Sequence, residues 1–174
     1  MPAVYAYSPV LVPRPPDWPP WHQVTGYCLV ASPDQKLDSA LAEFLLIGDK
    51  PVVVTFGSMS CLDSADCLLL KRAVEAVRHL EMRCIVISGW SKLVLPPSKD
   101  LFIIQSAPHE VLFPKCCAVI HHAGAGTTAR CVLSGIPSVA VPILRWLVFE
   151  HQKCVALGRI ELTNEIAVWG EKQV

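Results

Sequence analysis

Residues 121–128 read His-His-Ala-Gly-Ala-Gly-Thr-Thr, between an apolar run with strand character and a run with helix character. Gly124 and Gly126 lack a Cβ, so a ligand can approach the backbone closely there. The helix that follows offers unpaired amides and the positive end of its dipole, a combination that favours an anion such as phosphate. Ala125 contributes backbone to the same loop, Thr127 and Thr128 can add hydroxyls, and His122 can donate to a phosphate oxygen. A bare Gly-x-Gly before a helix is common, and two histidines can simply close a strand. The compound string is far more specific than its parts.

Two further segments carry groups suited to binding. Thr55-Phe56-Gly57-Ser58 follows an apolar run; glycine permits a sharp turn, and Ser58 brings a hydroxyl and an amide to the strand tip. Gly-Ser after a strand is also ordinary turn chemistry. Gln105-Ser106-Ala107-Pro108-His109 precedes a helical turn. Such a loop can hold a base edge with backbone groups, or be no more than a turn and a helix start.

The elements that must position these segments follow from periodicity. Residues 51–56 are β-branched and apolar on both faces, as in a buried parallel strand. Further strands are predicted over 83–88, 101–105, 118–121 and 138–141. Helices are predicted over 36–47 (stopped by Gly48), 63–80, 127–134 and 148–157, with a helical turn over 109–113. The helix over 63–80 is expected to bury Leu69, Ala73, Ala76, Val77 and Leu80. Strands alternating with helices at this spacing imply parallel βαβ units with right-handed crossovers. The fold class is therefore α/β, an open doubly wound, Rossmann-like sheet. Ligands in such sheets bind beyond the carboxyl ends of the strands, where all three segments fall.

Three stretches are expected along the chain: a proline-rich, linker-like segment over 1–34, the α/β domain over 35–160, and a divergent tail over 161–174. Prolines recur from Pro2 to Pro20, including Arg-Pro-Pro-Asp-Trp-Pro-Pro-Trp. Proline fixes φ and removes a donor, which excludes a helix interior or a central strand. An extended tether fits this composition, as does a ligand for a proline-reading module.

At 174 residues the chain has room for one ordinary domain. Hydrophobic residues at 52% and charged residues at 17% argue against extensive disorder outside the N-terminus. The apolar surplus fits a large core or a face that meets something else. Fifteen basic residues balance fifteen acidic ones with no basic block, so a nucleic-acid partner is not expected. The longest apolar runs, such as 51–56 and 137–143, are too short to span a bilayer, and no signal-peptide pattern is present. The eight cysteines include no Cys-x-x-Cys pair, which points to buried reduced thiols in a cytosolic protein rather than a zinc site or disulfide framework.

Together the segments resemble the UDP-dependent glycosyltransferases of the GT-B fold, most closely the sterol 3-beta-glucosyltransferases. HHAGAGTT is similar to that family's HHGGAGTT diphosphate loop, APHEVLF to its uridine segment, VTFGS to its first-strand loop, and GIPSVAVP to the strand before its sugar site. PDWPPWHQVTGY is similar to the family's interdomain linker. The match runs in order from about Tyr5 to Pro142.

The resemblance implies the C-terminal, donor-binding half of such an enzyme. Ser58, His122, Gly124, Ala125, Gly126, Thr127 and Thr128 would contact the diphosphate of UDP-glucose or a similar UDP-sugar. Ala107 and His109 would frame the uracil, with Trp90 in the pocket wall or, equally, packed in the interior. No cofactor or obligatory metal is expected. The family's sugar-binding Asp-Gln pair aligns with Trp146-Leu147, which cannot accept a hydroxyl's hydrogen bond through their side chains. Glu150 and Gln152 could replace the pair if the loop shifted. The catalytic base is expected in an N-terminal acceptor domain that this sequence does not contain, so the chain would act as a donor-binding fragment, short form or truncated product, or alternatively as the soluble subunit of a split enzyme or a degenerate UDP-binding protein. A cytoplasmic location follows, peripheral to membranes through a partner or acceptor domain.

Overall fold

The computed structural model describes residues 1–29, 35–57, 64–91, 94–141 and 160–162. Its principal sheet is fully parallel, in the order β5-β4-β3-β6-β7-β8. The strands are β3 (Val52–Thr55), β4 (Cys84–Ile87), β5 (Leu101–Ile104), β6 (Ala118–His121), β7 (Ser138–Ala140) and β8 (Ile160–Leu162). β3 and β4 are buried along their whole length, as their unbroken Val and Ile runs require of strands covered on both faces. On one face Val53, Ile85 and Val119 pack against Leu41, Leu112 and Cys131. These come from α1 (Ser39–Leu46), α3 (His109–Leu112) and α4 (Ala125–Ser134). On the other face Val52, Val54, Cys84 and Val86 pack against α2 (Ser64–His79). The sheet is doubly wound, as expected.

The chain leaves β3 outward through β4 to β5, then returns to lay β6 on the opposite side of β3. The topology therefore switches direction between β3 and β6. Their register pairs Thr55 with His121, so the loops that follow both strands emerge at the same level.

Several details depart from the sequence expectations. Among the described side chains of α2, Leu70, Ala73, Val74 and Val77 are buried and Leu69 packs partly buried beside them, whereas Ala76 is exposed and Leu80 is 71% exposed. Leucines at 69 and 70 make the apolar stripe ambiguous in phase, and docking on the sheet selects the Leu70 side. α4 starts at Ala125, two residues earlier than expected, because Gly124 takes extended angles and caps it directly. β8 spans the expected domain boundary at 160 and joins the sheet beside β7. The predicted helix over 148–157 lies outside the described residues.

The proline-rich segment is folded rather than extended. β1 (Ala3–Tyr5) and β2 (His22–Val24) form a two-stranded parallel sheet. The Trp18 ring packs at a 33° tilt against Tyr5, centroids 4.3 Å apart, and the Tyr5 hydroxyl meets His22 Nδ1 at 3.1 Å. Arg14 donates to the carbonyls of His22 (3.0 Å), Pro19 (2.8 Å) and Trp18, closing the proline run into turns. Among the described residues, no helix is long and apolar enough to cross a membrane.

Candidate functional site

A cleft of about 480 Å³ opens at the carboxyl ends of β3, β4 and β5. Thr55 ends β3 and Gly57 follows it, Ile87 ends β4 and Gly89 and Trp90 follow it, and Gln105, Ser106, Ala107 and His109 complete the wall. Three of the predicted residues, Trp90, Ala107 and His109, thus meet in one place. Trp90 is 77% exposed, so its indole is presented at the cleft rather than packed in the interior. An exposed indole face is a platform for a planar ring.

His109 opens α3 and stacks on Phe113 at 4.6 Å and 14°, which fixes its ring. Burial, reinforced by the nearby Arg130 guanidinium, holds the His109 pKa below its ordinary value of 6.5. It is therefore neutral at pH 7, with one ring nitrogen donating and the other accepting, as suits the edge of a base. Arg130 on α4 is itself paired with Glu110 on α3 at 2.7 Å. Sequence spacing gave no sign of this link between the two segments.

The loop after β6 adjoins the cleft. His122 is 8% exposed, and a Cβ placed on Gly57 would lie 2.7 Å from its Cε1. A Cβ on Gly124 would overlap its Nε2. The imidazole thus lies between two glycines, one from each loop at the topological switch. Gly57 also has φ +66°, the left-handed region glycine adopts without penalty.

No side chain caps the start of α4; the first helical bond runs from the Thr128 amide to the Gly124 carbonyl at 3.0 Å. By contrast, Asp38 caps α1 by accepting from the amides of Ala40 and Leu41 at 3.0 and 3.3 Å. The first amides of α4, at Ala125, Gly126 and Thr127, are the donors a helix cannot satisfy internally. Thr127 and Thr128 are 7% and 3% exposed. The Thr128 hydroxyl donates to the Gly124 carbonyl at 3.0 Å, which commits its proton within the loop. Ser58, Trp146, Leu147, Glu150 and Gln152 lie outside the described residues. Among the described residues, no group of three or more His, Cys, Asp or Glu side chains could hold a metal ion.

The arrangement combines a cleft of about 480 Å³ with an adjoining helix start that no side chain caps, a pairing that suits a nucleotide. No protein-family model matches the sequence. A sterol 3-beta-glucosyltransferase of Arabidopsis thaliana (UGT80A2) is 37% identical over 161 residues, 91% of this chain. The enzyme of the same name from Emericella nidulans is 37% identical over 172 residues, again 91% of the chain. Over most of its length the chain is a homologue of the sterol 3-beta-glucosyltransferases. It spans only 25% of the plant sterol glucosyltransferase and 12% of the fungal one. The fold of this sterol glucosyltransferase homologue is shared with GT-B glycosyltransferases. The glycosyltransferase of kitacinnamycin superposes with a TM-score of 0.71 at 18% identity, over 95% of this chain and 42% of that one. The glycosyltransferase VinC, solved in complex with dTDP, superposes at 0.65 with 20% identity, over 92% of this chain and 39% of that one.

Proposed function

We propose that the chain is the donor-binding half of a UDP-sugar-dependent glycosyltransferase that passes a hexosyl group to a sterol or another lipophilic hydroxyl. The observation that carries this reading is the meeting of His122, the uncapped start of α4 and the Trp90–His109 cleft at the switch between β3 and β6. The uracil of the donor lies in the cleft, against Trp90 and the edges offered by Ala107 and neutral His109. The diphosphate lies on the amides of Ala125, Gly126 and Thr127 and takes a hydrogen bond from His122, and the family resemblance adds Ser58 to its contacts.

In the complete enzyme a base in the acceptor domain removes the proton of the acceptor hydroxyl. The oxygen attacks the anomeric carbon, and the bond from that carbon to the diphosphate oxygen breaks. Negative charge then grows on the departing UDP, where helix amides and His122 stabilise it without a metal. A cytoplasmic placement, with membrane contact made through the acceptor domain or a partner, fits a lipophilic acceptor.

The test is titration calorimetry of the purified chain with UDP. Binding weakened about tenfold or more by His122→Ala, the loss expected for one hydrogen bond to a charged group, supports the reading. No heat from a well-folded chain at millimolar UDP refutes it. Trp146-Leu147 in place of an acid–amide pair favours a second reading, a UDP-binding protein with no sugar pocket. UDP and UDP-glucose of equal affinity support that reading, and a gain from the glucose points to Glu150 or Gln152.

A further inference from the structure

Within residues 1–29 a single side chain is buried, that of Leu11 at 5% exposure. It is delivered by a turn in which the amides of Leu11 and Val12 both donate to the Ser8 carbonyl, at 3.2 and 2.9 Å. The Arg14 clamp on the proline run follows directly, so the residues around Leu11 are internally fixed. Leu11 packs on Ala123 and Ala140, with Val12, Tyr27 and Val132 around them.

Ala123 is the residue between His122 and Gly124. It is fully buried and has φ +74°, a left-handed conformation that a residue with a Cβ holds only when its surroundings impose it. Its amide donates to His121 Nδ1 at 3.2 Å, which restrains the loop from the sheet side. Leu11 lies in the same buried cluster as its methyl group. A glycine at 123 would need no such packing; an alanine does.

We infer that Leu11 is a positioning residue for the 122–126 loop, acting through Ala123, so that the N-terminal segment and the anion-binding loop form one unit. The consequence for diphosphate binding rests on the function proposed above, but the mechanical coupling does not. Without Leu11 the Ala123 methyl loses its packing partner while its unfavourable φ remains. The loop then relaxes, His122 leaves the slot between Gly57 and Gly124, and the first α4 amides lose their common aim.

The experiment uses the full chain with Leu11→Ala, Leu11→Met, and Leu11→Ala combined with Ala123→Gly. Hydrogen exchange in the loop is read at its two hydrogen-bonded amides, those of Ala123 and Thr128, and compared with the amides of β3 and β4. Titration calorimetry compares UDP with uridine, which engages the base cleft alone. Leu11→Ala is expected to bring Ala123 and Thr128 close to the unprotected exchange rate and leave β3 and β4 unchanged. UDP affinity should fall about tenfold, as when about a tenth of molecules keep the competent loop, with uridine affinity unaltered. Leu11→Met restores both, and in the Ala123→Gly background Leu11→Ala loses its effect on the loop.

Unchanged exchange at Ala123 and Thr128 in Leu11→Ala overturns the inference. So does acceleration shared equally by β3 and β4, or an equal effect with glycine at 123. If Leu11→Ala does not fold, Leu11→Val carries the same comparison with a smaller expected change. If the unmodified chain binds no UDP, the proposed function fails while the exchange measurement still decides the role of Leu11.

Discussion

The imidazole of His122 occupies the volume that a side chain on Gly124 would need. Two residues on, the situation reverses: a Cβ on Gly126 would meet nothing within 4 Å. Gly124→Ala must therefore displace a buried ring, and is expected to destabilise the fold by about 1–3 kcal/mol, as overpacking does. Gly126→Ala adds a methyl to a helix without a clash and should stabilise by about 0.5–1 kcal/mol. Both should weaken UDP, Gly124→Ala by moving His122 and Gly126→Ala by filling the space above the amides. Urea denaturation with UDP titration separates the two; a Gly126→Ala chain that binds UDP at full affinity would remove Gly126 from the diphosphate site.

His109 sets a pH dependence. Its pKa in the folded chain lies below the ordinary 6.5, chiefly through burial and then through Arg130. Between the lowered value and 6.5 the unfolded chain binds more proton than the folded one, so stability rises with pH across that window. The contribution is fully present above about pH 6.5 and is lost as pH falls through the folded pKa. His109→Phe should flatten this slope in urea midpoints measured from about pH 5 to 7.5. Arg130→Met should narrow the window from its acid side.

Arg83 closes the end of α1. Its guanidinium stands 4.0 Å over the Phe44 ring and donates to the carbonyls of Phe44 and Asp49, the latter at 2.9 Å. Removing a stacked, doubly donating group leaves those carbonyls without it, and Arg83→Ala should cost about 1–3 kcal/mol in chemical denaturation. Lysine lacks the planar fork, so Arg83→Lys should recover less than half of that loss.

The thiols should divide by burial. Cys84, Cys116 and Cys131 are pushed up to about 12, in each case mainly by burial. At pH 8 only about one such thiol in ten thousand is ionised, and the thiolate is the reactive form. Cys28 is exposed. Iodoacetamide followed by peptide mass mapping should label Cys28 in the folded chain and Cys84, Cys116 and Cys131 only in denaturant. Labelling of Cys84 at the rate of Cys28 would contradict the described core.

Local chemistry made much of the fold legible. The Val and Ile runs of β3 and β4 can satisfy so much apolar surface only as strands covered on both faces. Gly48 and Gly135 both take left-handed angles just past helices, as helix-ending glycines do. The order of glycines, threonines and histidines in 121–128 placed a strand, a glycine turn and a helix start in succession, as the structure has them.

Interactions between distant parts of the chain were not legible, because no local pattern encodes them. Whether α2 buries Leu69 or Leu70 is a rotation of one residue, fixed only when the helix docks on β3 and β4. Proline composition excluded a helix interior or a central strand in the first residues, yet could not reveal that Arg14 gathers three carbonyls into a folded unit. By itself the sequence determined the parallel α/β class and the three loops at the strand ends, since each depends on neighbours a few residues apart. Only the tertiary structure decided that His122 lies between Gly57 and Gly124, that Arg130 biases His109, and that Leu11 joins a left-handed Ala123 in one buried cluster. Those three depend on the crossover that sets β6 beside β3, and so on steric and electrostatic contacts that do not exist until the sheet has formed.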